Sequence, residues 1–582
     1  MAEIQGPGGP LPFIPDDVTV PQFLLDSQHP SRPVVTNAGN VWLIEDSTGR
    51  KVGYEEIRAR THGLANALHL RWNIGENDVV CIFSPNHMDY PAMIWAIHRL
   101  GAIVTTANPA YTAEELVHQL RTTSAKLILV HPWNVDTALA AAQAVGIPPE
   151  NIALVDPLPA SASKGSGFIT LPELVKQGSS QPTSFTERKL KPGEAKTKLA
   201  FLSFSSGTTG LPKAVSIPHY SLVANIVQVA TFLNGDTSPP ESRGFRPGDV
   251  VFAALPFYHA YGLAFIMHAL LFYGYTLVVV PKFNFVDMLK SIERYRINFL
   301  PTVPPMFVLL CKHPDVPKYD LSSVRSILCG AAPLFGELME QLSKKFPKIK
   351  IGQGFGMTES FTMVAMLALD QHVGTPNSAG VLLPGITARV VRADGSLAPH
   401  GEAGQFVFKS PALALGYYNN EKATKETFVD GWLYSGDEVT INEKGELFVL
   451  DRIKELLKVR GFQVAPAEIE GYLLEHPDVA DACVVSILDD YHGDLPLAFI
   501  VPSASAQERI KQDPAEADAI KAKLIKYVAD GKIYYKQLTA GVVFTDVIPK
   551  NPSGKMLRRL LRDRAREMWK NGQLSSGVKP KL

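Results

Sequence analysis

The chain has 582 residues, 46% of them hydrophobic, and its 57 Lys+Arg against 57 Asp+Glu leave no formal net charge. At roughly 100–200 residues per domain there is room for two or more domains, and a charged fraction of 20% with a mean hydropathy of +0.03 excludes a disordered or collagen-like chain. The balance of sign argues against a basic nucleic-acid surface or an acidic tail, although a local basic site can hide within it.

The N-terminus, MAEIQGPGGPLPFIPDD, lacks the basic start and apolar run of a secretory signal. Cys81, Cys311, Cys329 and Cys483 form no CxxC pair and no metal-ligand spacing, so they read as reduced thiols of an intracellular protein. Between residues 78 and 130 short apolar runs alternate with helical stretches: a strand at 79–83, a helix at 91–100 closed by Gly101, an extended piece at 102–105 and a strand at 126–130. Thr112 followed by Glu115 predicts a capping box with a helix behind it. Residues 160–198 and 234–248, rich in polar residues, read as surface insertions.

Further short apolar runs at 199–204, 250–254, 276–280, 297–300, 323–329 and 349–353 predict more strands of a mostly parallel sheet covered on both faces. In such sheets ligands collect where strands end, so the loops after them are expected to converge on one crevice. Residues 250–280 carry no Asp, Glu, Lys or Arg and are long enough to span a bilayer. Pro256, Gly262 and Gly274 interrupt the run, and His259 and His268 would be costly in lipid, so it reads as strand, helix and strand in the core of a soluble domain, with no transmembrane segment. Beyond Asp451 the charge density rises and a new alternation begins, ending near Trp569 before a loose tail. The expected fold is α/β: a large domain of mostly parallel sheets flanked by helices over residues 1–451, and a small α/β domain over 452–582.

The most informative segment is Ser205-Ser206-Gly207-Thr208-Thr209-Gly210-Leu211-Pro212-Lys213, directly after a predicted strand. Its glycines let the backbone turn and aim N–H groups inward, the hydroxyls add donors, and Lys213 adds charge, which together make a phosphate cradle. The spacing is not that of a Walker A loop.

This segment, followed by GFGMTES at 354–360, YSGDE at 434–438, DRIKELLKVRGFQVAPAEIE at 451–470 and NPSGKMLRR at 551–559, resembles the adenylate-forming superfamily, which includes acyl-CoA synthetases, firefly luciferase and peptide-synthetase adenylation domains. The long 451–470 run is most similar to 4-coumarate–CoA ligases. The resemblance implies an ATP-dependent acid–CoA ligase: a carboxylate is joined to the α-phosphate of ATP with release of pyrophosphate, and the acyl-adenylate is then attacked by the thiol of coenzyme A. Both steps gather negative charge, so positioning and positive electrostatics should dominate.

On the same resemblance Lys555 acts between carboxylate and α-phosphate, while Asp437 and Arg452 hold the ribose. Ser205, Ser206, Gly207, Thr208, Thr209, Gly210 and Lys213 hold the phosphates. Gly354, Phe355, Gly356 and Thr358 border the nucleotide, and Glu359 takes Mg²⁺, which suits one or two carboxylates plus phosphates. The small domain is expected to be mobile, rotating about Lys454 between the two half-reactions. Lys458 and Gln463 would then serve thioester formation, with Arg460 and Gly461 near coenzyme A. His259 would stand at the mouth between acyl pocket and thiol tunnel. Tyr261, Phe265, Gly330, Gly354, Gly356, Thr362 and Met363 would line the acyl pocket.

Lys454, Lys458, Arg460, Lys555, Arg558 and Arg559 concentrate positive charge in the last quarter of the chain, as the phosphates of ATP and coenzyme A would need. Departures from the family pattern, among them Ala214 after Lys213 and the bulky Ser360-Phe361-Thr362-Met363, leave both an aryl acid such as a cinnamate and a medium-chain fatty acid open. Two other readings are an adenylating enzyme serving a carrier protein or a luciferase-like oxidation, and a binding protein that has lost the chemistry. The 23 residues after Arg559 are too few for a fused carrier domain. Pro580-Lys581-Leu582 resembles the SKL peroxisomal address, which would engage an import receptor, so the expected location is peroxisomal or cytoplasmic.

Overall fold

A computed structural model describes residues 3–34, 41–158, 167–205, 212–332, 334, 336–460, 462–489, 493–550 and 555–574. The 78–130 alternation folds as its pattern predicts. Val79–Phe83, Ile103–Ala107 and Leu127–Val130 are neighbouring parallel strands, each fully buried because helices cover both faces. The helix Ala113–Thr123 begins with the capping box: the Glu115 N–H donates to Thr112 Oγ1 at 3.3 Å and the Thr112 N–H to Glu115 Oε2 at 2.8 Å. Ile152–Leu154 extends this sheet at one edge; Leu199–Ser205 and, antiparallel to it, Lys213–Pro218 extend it at the other.

A second sheet, fifteen-stranded among the described residues, begins parallel. Thr276–Val279, Val250–Ala253, Phe299–Thr302, Ser326–Cys329 and Lys350–Met357 run side by side with the same direction. After Met357 the chain reverses, and Thr362–Met366, Ser378–Leu382, Glu446–Arg452, Trp432–Ile441, Gly404–Lys409 and Thr387–Val391 pair antiparallel. The apolar 250–280 run is strand, helix and strand, but the helix over Tyr261–Ala269 is π-type and all nine of its residues are buried. Among the described residues no helix is long and apolar enough to cross a membrane.

Both polar stretches hold ordered, buried anchors among their described residues. Leu171–Ser180 is a helix with its own capping box at Thr170 and Glu173, and Leu171 and Leu174 are fully buried. It lies so close to Tyr54–Trp72 that a Cβ on Gly178 would collide with the Gly63 carbonyl. In the second, Phe245 is buried edge-on to Phe299, 5.2 Å between centroids. Polar composition in both stretches conceals a few apolar anchors.

The first sheet pair ends at Arg452, and a separate sheet starts at Leu457. It holds Leu457–Val459, Phe462–Val464, Val479–Asp489, Gly493–Pro502 and Gly541–Phe544, with Pro466–Glu475, Glu516–Gly531 and Arg558–Lys570 packed on it around a core of its own.

Candidate active site

Strand Leu199–Ser205 precedes the segment expected to hold phosphates, of which Ser206, Gly207, Thr208, Thr209 and Gly210 lie outside the described residues. Across the ladder Ser205 faces Lys213, which opens the return strand. The Lys213 ammonium sits 4.8 Å from the centroid of the Tyr417 ring, and the Tyr417 hydroxyl donates to Glu359 Oε1 at 2.8 Å. Glu359 belongs to the single turn Thr358–Ser360 that ends Lys350–Met357 and is buried. Two of the sequence motifs are thereby joined by a residue outside both.

The third motif closes on the same place. Asp437 on Trp432–Ile441 and Arg452 on Glu446–Arg452 are cross-strand partners, and Arg452 Nε reaches Asp437 Oδ1 at 2.6 Å. Asp437 is buried, so its pKa is raised by desolvation against the pull of Arg452, a Ser435 hydrogen bond and Lys555. Its second oxygen, Oδ2, is buried and has no hydrogen-bond partner among the described residues. A carboxylate is acceptor-only, so an aimed and unsatisfied oxygen of this kind fits a ligand hydroxyl.

Lys555 comes to this cluster from the small domain. Its ammonium feels the charges of Arg452, Glu455, Asp437 and Glu359; burial and Arg452 hold its pKa below the usual lysine range. It also acts on His259, whose pKa burial and Lys555 push down to about 4. His259 follows the strand Val250–Ala253 and its Nδ1 accepts the Tyr261 N–H at 3.4 Å. Lys555 therefore lies within electrostatic reach of His259, Asp437, Arg452 and Glu359, and Asp437 and Arg452 pair directly. Among the described residues no three His, Cys, Asp or Glu side chains gather into a metal cage. Glu359, with one oxygen bonded to Tyr417, suits a cation that brings phosphates as its other ligands.

The acyl side is tightly built. Tyr261 lies across Gly330, where a Cβ would stand 2.9 Å from the ring, and its hydroxyl donates to the Leu328 carbonyl at 3.1 Å. Phe265 is fully buried behind it, 5.8 Å from the Tyr261 ring and edge-on to Phe299. Phe361 and Thr362 have φ of 40° and 111°, left-handed values that are costly for an aromatic and a β-branched residue. The strained turn sends Phe361 into the core against Phe201 and ties the Thr362 hydroxyl to the Ala260 carbonyl at 2.8 Å. Met363 is buried, its ε-methyl 3.0 Å from where a Cβ on Gly354 would stand. Gly356 admits the Thr362 carbonyl, which a Cβ there would strike. The space beside these two glycines is thus occupied by protein, and Phe355 packs edge-on to Phe406.

Lys454 is exposed in the turn between the two sheets. Lys458 and Gln463 are cross-strand partners on an exposed hairpin, with the Lys458 N–H donating to Asp494 at 2.7 Å. Arg460, at φ 51°, turns that hairpin and lies 5.8 Å over Tyr534; Gly461 is outside the described residues. One expectation fails outright. Arg558 is not available to phosphates: its side chain is mostly covered, ion-paired with Glu470 and, at 3.1 Å, with Glu455, and it donates to the Val484 carbonyl at 3.0 Å. Arg559 is exposed, and the Pro580-Lys581-Leu582 tail lies outside the described residues.

The family model described as AMP-binding enzyme matches residues 26–418, and that of the AMP-binding enzyme C-terminal domain matches 468–555. A 4-coumarate–CoA ligase of Narcissus pseudonarcissus is 32% identical over 568 residues, covering 96% of each chain. One from Petroselinum crispum is 34% identical over 531 residues, 90% of each. The fold matches ATP-bound MatB from Rhodopseudomonas palustris with a TM-score of 0.78 at 24% identity, over 95% of this chain and all of that one. The chain belongs to the AMP-binding, adenylate-forming enzyme family, together with the 4-coumarate–CoA ligases.

Proposed function

We propose that this protein is an AMP-forming acid–CoA ligase that activates an aryl carboxylic acid, with the site as described posed for the adenylation half-reaction. The observation that carries the reading is that Lys555 of the small domain lies within electrostatic reach of Asp437, Arg452, Glu359 and His259 of the large one, with Asp437 and Arg452 directly paired. The wall of aromatic rings around Tyr261, backed by Phe265 and Phe299, favours a flat substrate over a long flexible chain.

In the first step a carboxylate oxygen attacks the α-phosphorus of ATP and the bond to pyrophosphate breaks. Asp437 Oδ2 accepts from ribose, Lys213 and the cradle take the β- and γ-phosphates, and Lys555 offsets the charge that builds on the α-phosphoryl oxygens. Glu359 would hold Mg²⁺, which neutralises phosphate charge when bound. Thr358 borders the reacting carboxylate. For the second step the small domain turns about Lys454, withdrawing Lys555 and bringing Lys458, Gln463, Arg460 and Gly461 to the cleft. The sulfur of coenzyme A then attacks the acyl carbon, its proton passes to the departing phosphate or to solvent, and the bond from the acyl carbon to AMP breaks; the departure of Lys555 removes the smaller of the two influences that lower the His259 pKa, burial being the larger.

Purified protein, ATP and Mg²⁺ should be tested with hydroxycinnamates, benzoates and C6–C12 fatty acids, with and without coenzyme A. Thioester and AMP should form with an aryl acid and depend on coenzyme A. Acyl-adenylate release with no thioester, or no ATP–pyrophosphate exchange with any acid, would defeat the proposal.

A further inference from the structure

Tyr417 belongs to none of the sequence motifs, yet it stands where two of them meet. Residues 414–418 lie along Lys213–Pro218 as an extra strip: the Tyr418 N–H donates to the Ala214 carbonyl at 2.8 Å, and Leu415 and Ser216 are joined through the Leu415 N–H and Ser216 carbonyl at 2.9 Å. The Ala414 N–H donates to the Glu359 carbonyl at 2.9 Å. The strip therefore fixes the edge of the phosphate cradle to the turn that carries Glu359. At its centre the Tyr417 hydroxyl holds Glu359 Oε1 at 2.8 Å while the face of the same ring holds the Lys213 ammonium at 4.8 Å, and Phe428 packs against the ring from a 6.0 Å centroid distance.

A lysine and a glutamate that both contact one tyrosine could instead pair with each other. Among the described residues no ion pair joins Lys213 to Glu359. The aromatic ring takes the cation on its quadrupole and its hydroxyl takes one carboxylate oxygen. Both charges are kept out of mutual neutralisation, and Glu359 Oε2 accepts no hydrogen bond among the described residues.

We infer that Tyr417 is a positioning residue of the triphosphate subsite, which keeps Lys213 and Glu359 apart so that one remains for phosphate oxygens and the other for the cation that accompanies them. The inference rests on the nucleotide reading of the cleft. It predicts an effect confined to ligands that carry β- and γ-phosphates.

The test is calorimetric titration of the full chain with AMP and with α,β-methylene-ATP, which cannot turn over, each with and without Mg²⁺. Tyr417→Phe keeps the ring and removes the donor. It should weaken Mg²⁺-loaded α,β-methylene-ATP roughly ten-fold, the worth of one charge-assisted hydrogen bond, and leave AMP within about two-fold. In a Glu359→Gln background the same change should cost nothing further. Glu359→Gln alone should remove the Mg²⁺-dependent part of the affinity, an arm that holds even if Tyr417→Phe does not fold. Equal weakening of AMP and the triphosphate, additive losses in the double variant, or Mg²⁺-dependent affinity surviving Glu359→Gln would each overturn the inference. A wild-type chain that bound neither nucleotide would instead remove the nucleotide reading, and the inference with it.

Discussion

Lys555→Ala probes the central claim that a residue of the small domain supplies the positive charge for adenylation. Two unit charges about 4 Å apart interact by roughly 1 kcal/mol in water but about 4 kcal/mol at an effective dielectric near 20. The lysine is in the second regime: burial and the neighbouring Arg452 already hold its pKa down, so its ammonium is poorly screened by water. A loss of about 4 kcal/mol corresponds to roughly a thousand-fold in rate. Carboxylate-dependent pyrophosphate release by the variant should fall by about that factor, while conversion of a supplied acyl-adenylate to thioester should stay within about three-fold, since in the proposed mechanism that step uses the other posture of the small domain. Lys555→Arg should rescue only part of the loss, because a planar fork replaces a point charge. Adenylation at the wild-type rate, or equal losses in both half-reactions, would refute the assignment.

Asp437→Asn should weaken ATP by about ten- to a hundred-fold through the lost charge at Oδ2, and should erase discrimination against 2′-deoxy-ATP if that oxygen accepts from ribose; unchanged discrimination would remove the ribose role. Arg558→Met should lower stability by about 3–5 kcal/mol in urea unfolding, because it strands buried Glu470 without its partner; a shift under about 1 kcal/mol would mean that the pair is solvated. Burial holds His98 down to about 3 and His268 to about 4, so each binds its proton more readily in the unfolded chain. Their contribution is complete above about pH 6.5 and falls as the pH drops towards those values, with roughly 3 kcal/mol lost per histidine by pH 4. His268→Gln should flatten the acid limb of the melting profile, since an amide can still accept from Trp95 and donate to the Leu263 carbonyl as the imidazole does at 3.1 and 2.7 Å; an unmoved limb would place the acid sensitivity elsewhere.

The parallel strands were legible because both their faces are covered, which makes them continuous apolar runs, as in Val79–Phe83. Thr112 and Glu115 were legible because a capping box is local. The antiparallel pairing of Thr362–Met366 through Thr387–Val391 was not, since partner choice among strands far apart in sequence leaves no local mark. Residues 171–180 were hidden by their polar surroundings, although two leucines and a small residue at the helix crossing carry the packing. Charge counting misplaced Arg558 because a side chain buried among carboxylates and one aimed at a phosphate look alike in sequence. Tyr417 was invisible for a simpler reason: its partners, Lys213 and Glu359, are 204 and 58 positions away.

The turn between the two sheets shows why so short a segment can serve as the proposed pivot. The Ile453 N–H still donates to the Gly436 carbonyl of the large domain, at 3.0 Å. Glu455, two residues on, is already paired with Arg558 inside the small domain, at 3.1 Å. Only exposed Lys454 lies between the last bond to one body and the first to the other. Two backbone bonds cross this point, from the Glu455 and Leu456 N–H groups to the Arg452 carbonyl at 2.8 and 3.1 Å, and the Ala467 N–H of helix Pro466–Glu475 donates to Asp451 Oδ2 at 3.2 Å. A rotation must break or exchange these bonds, at a net cost of about 0.5–1.5 kcal/mol each. That is small enough to be reversed within a turnover and large enough to hold one posture at a time. The buried Arg558 network then has a clear consequence. Arg558, three residues from Lys555, ties Glu455 to helix Pro466–Glu475 through Glu470, so that under the proposed rotation the lysine moves with its domain.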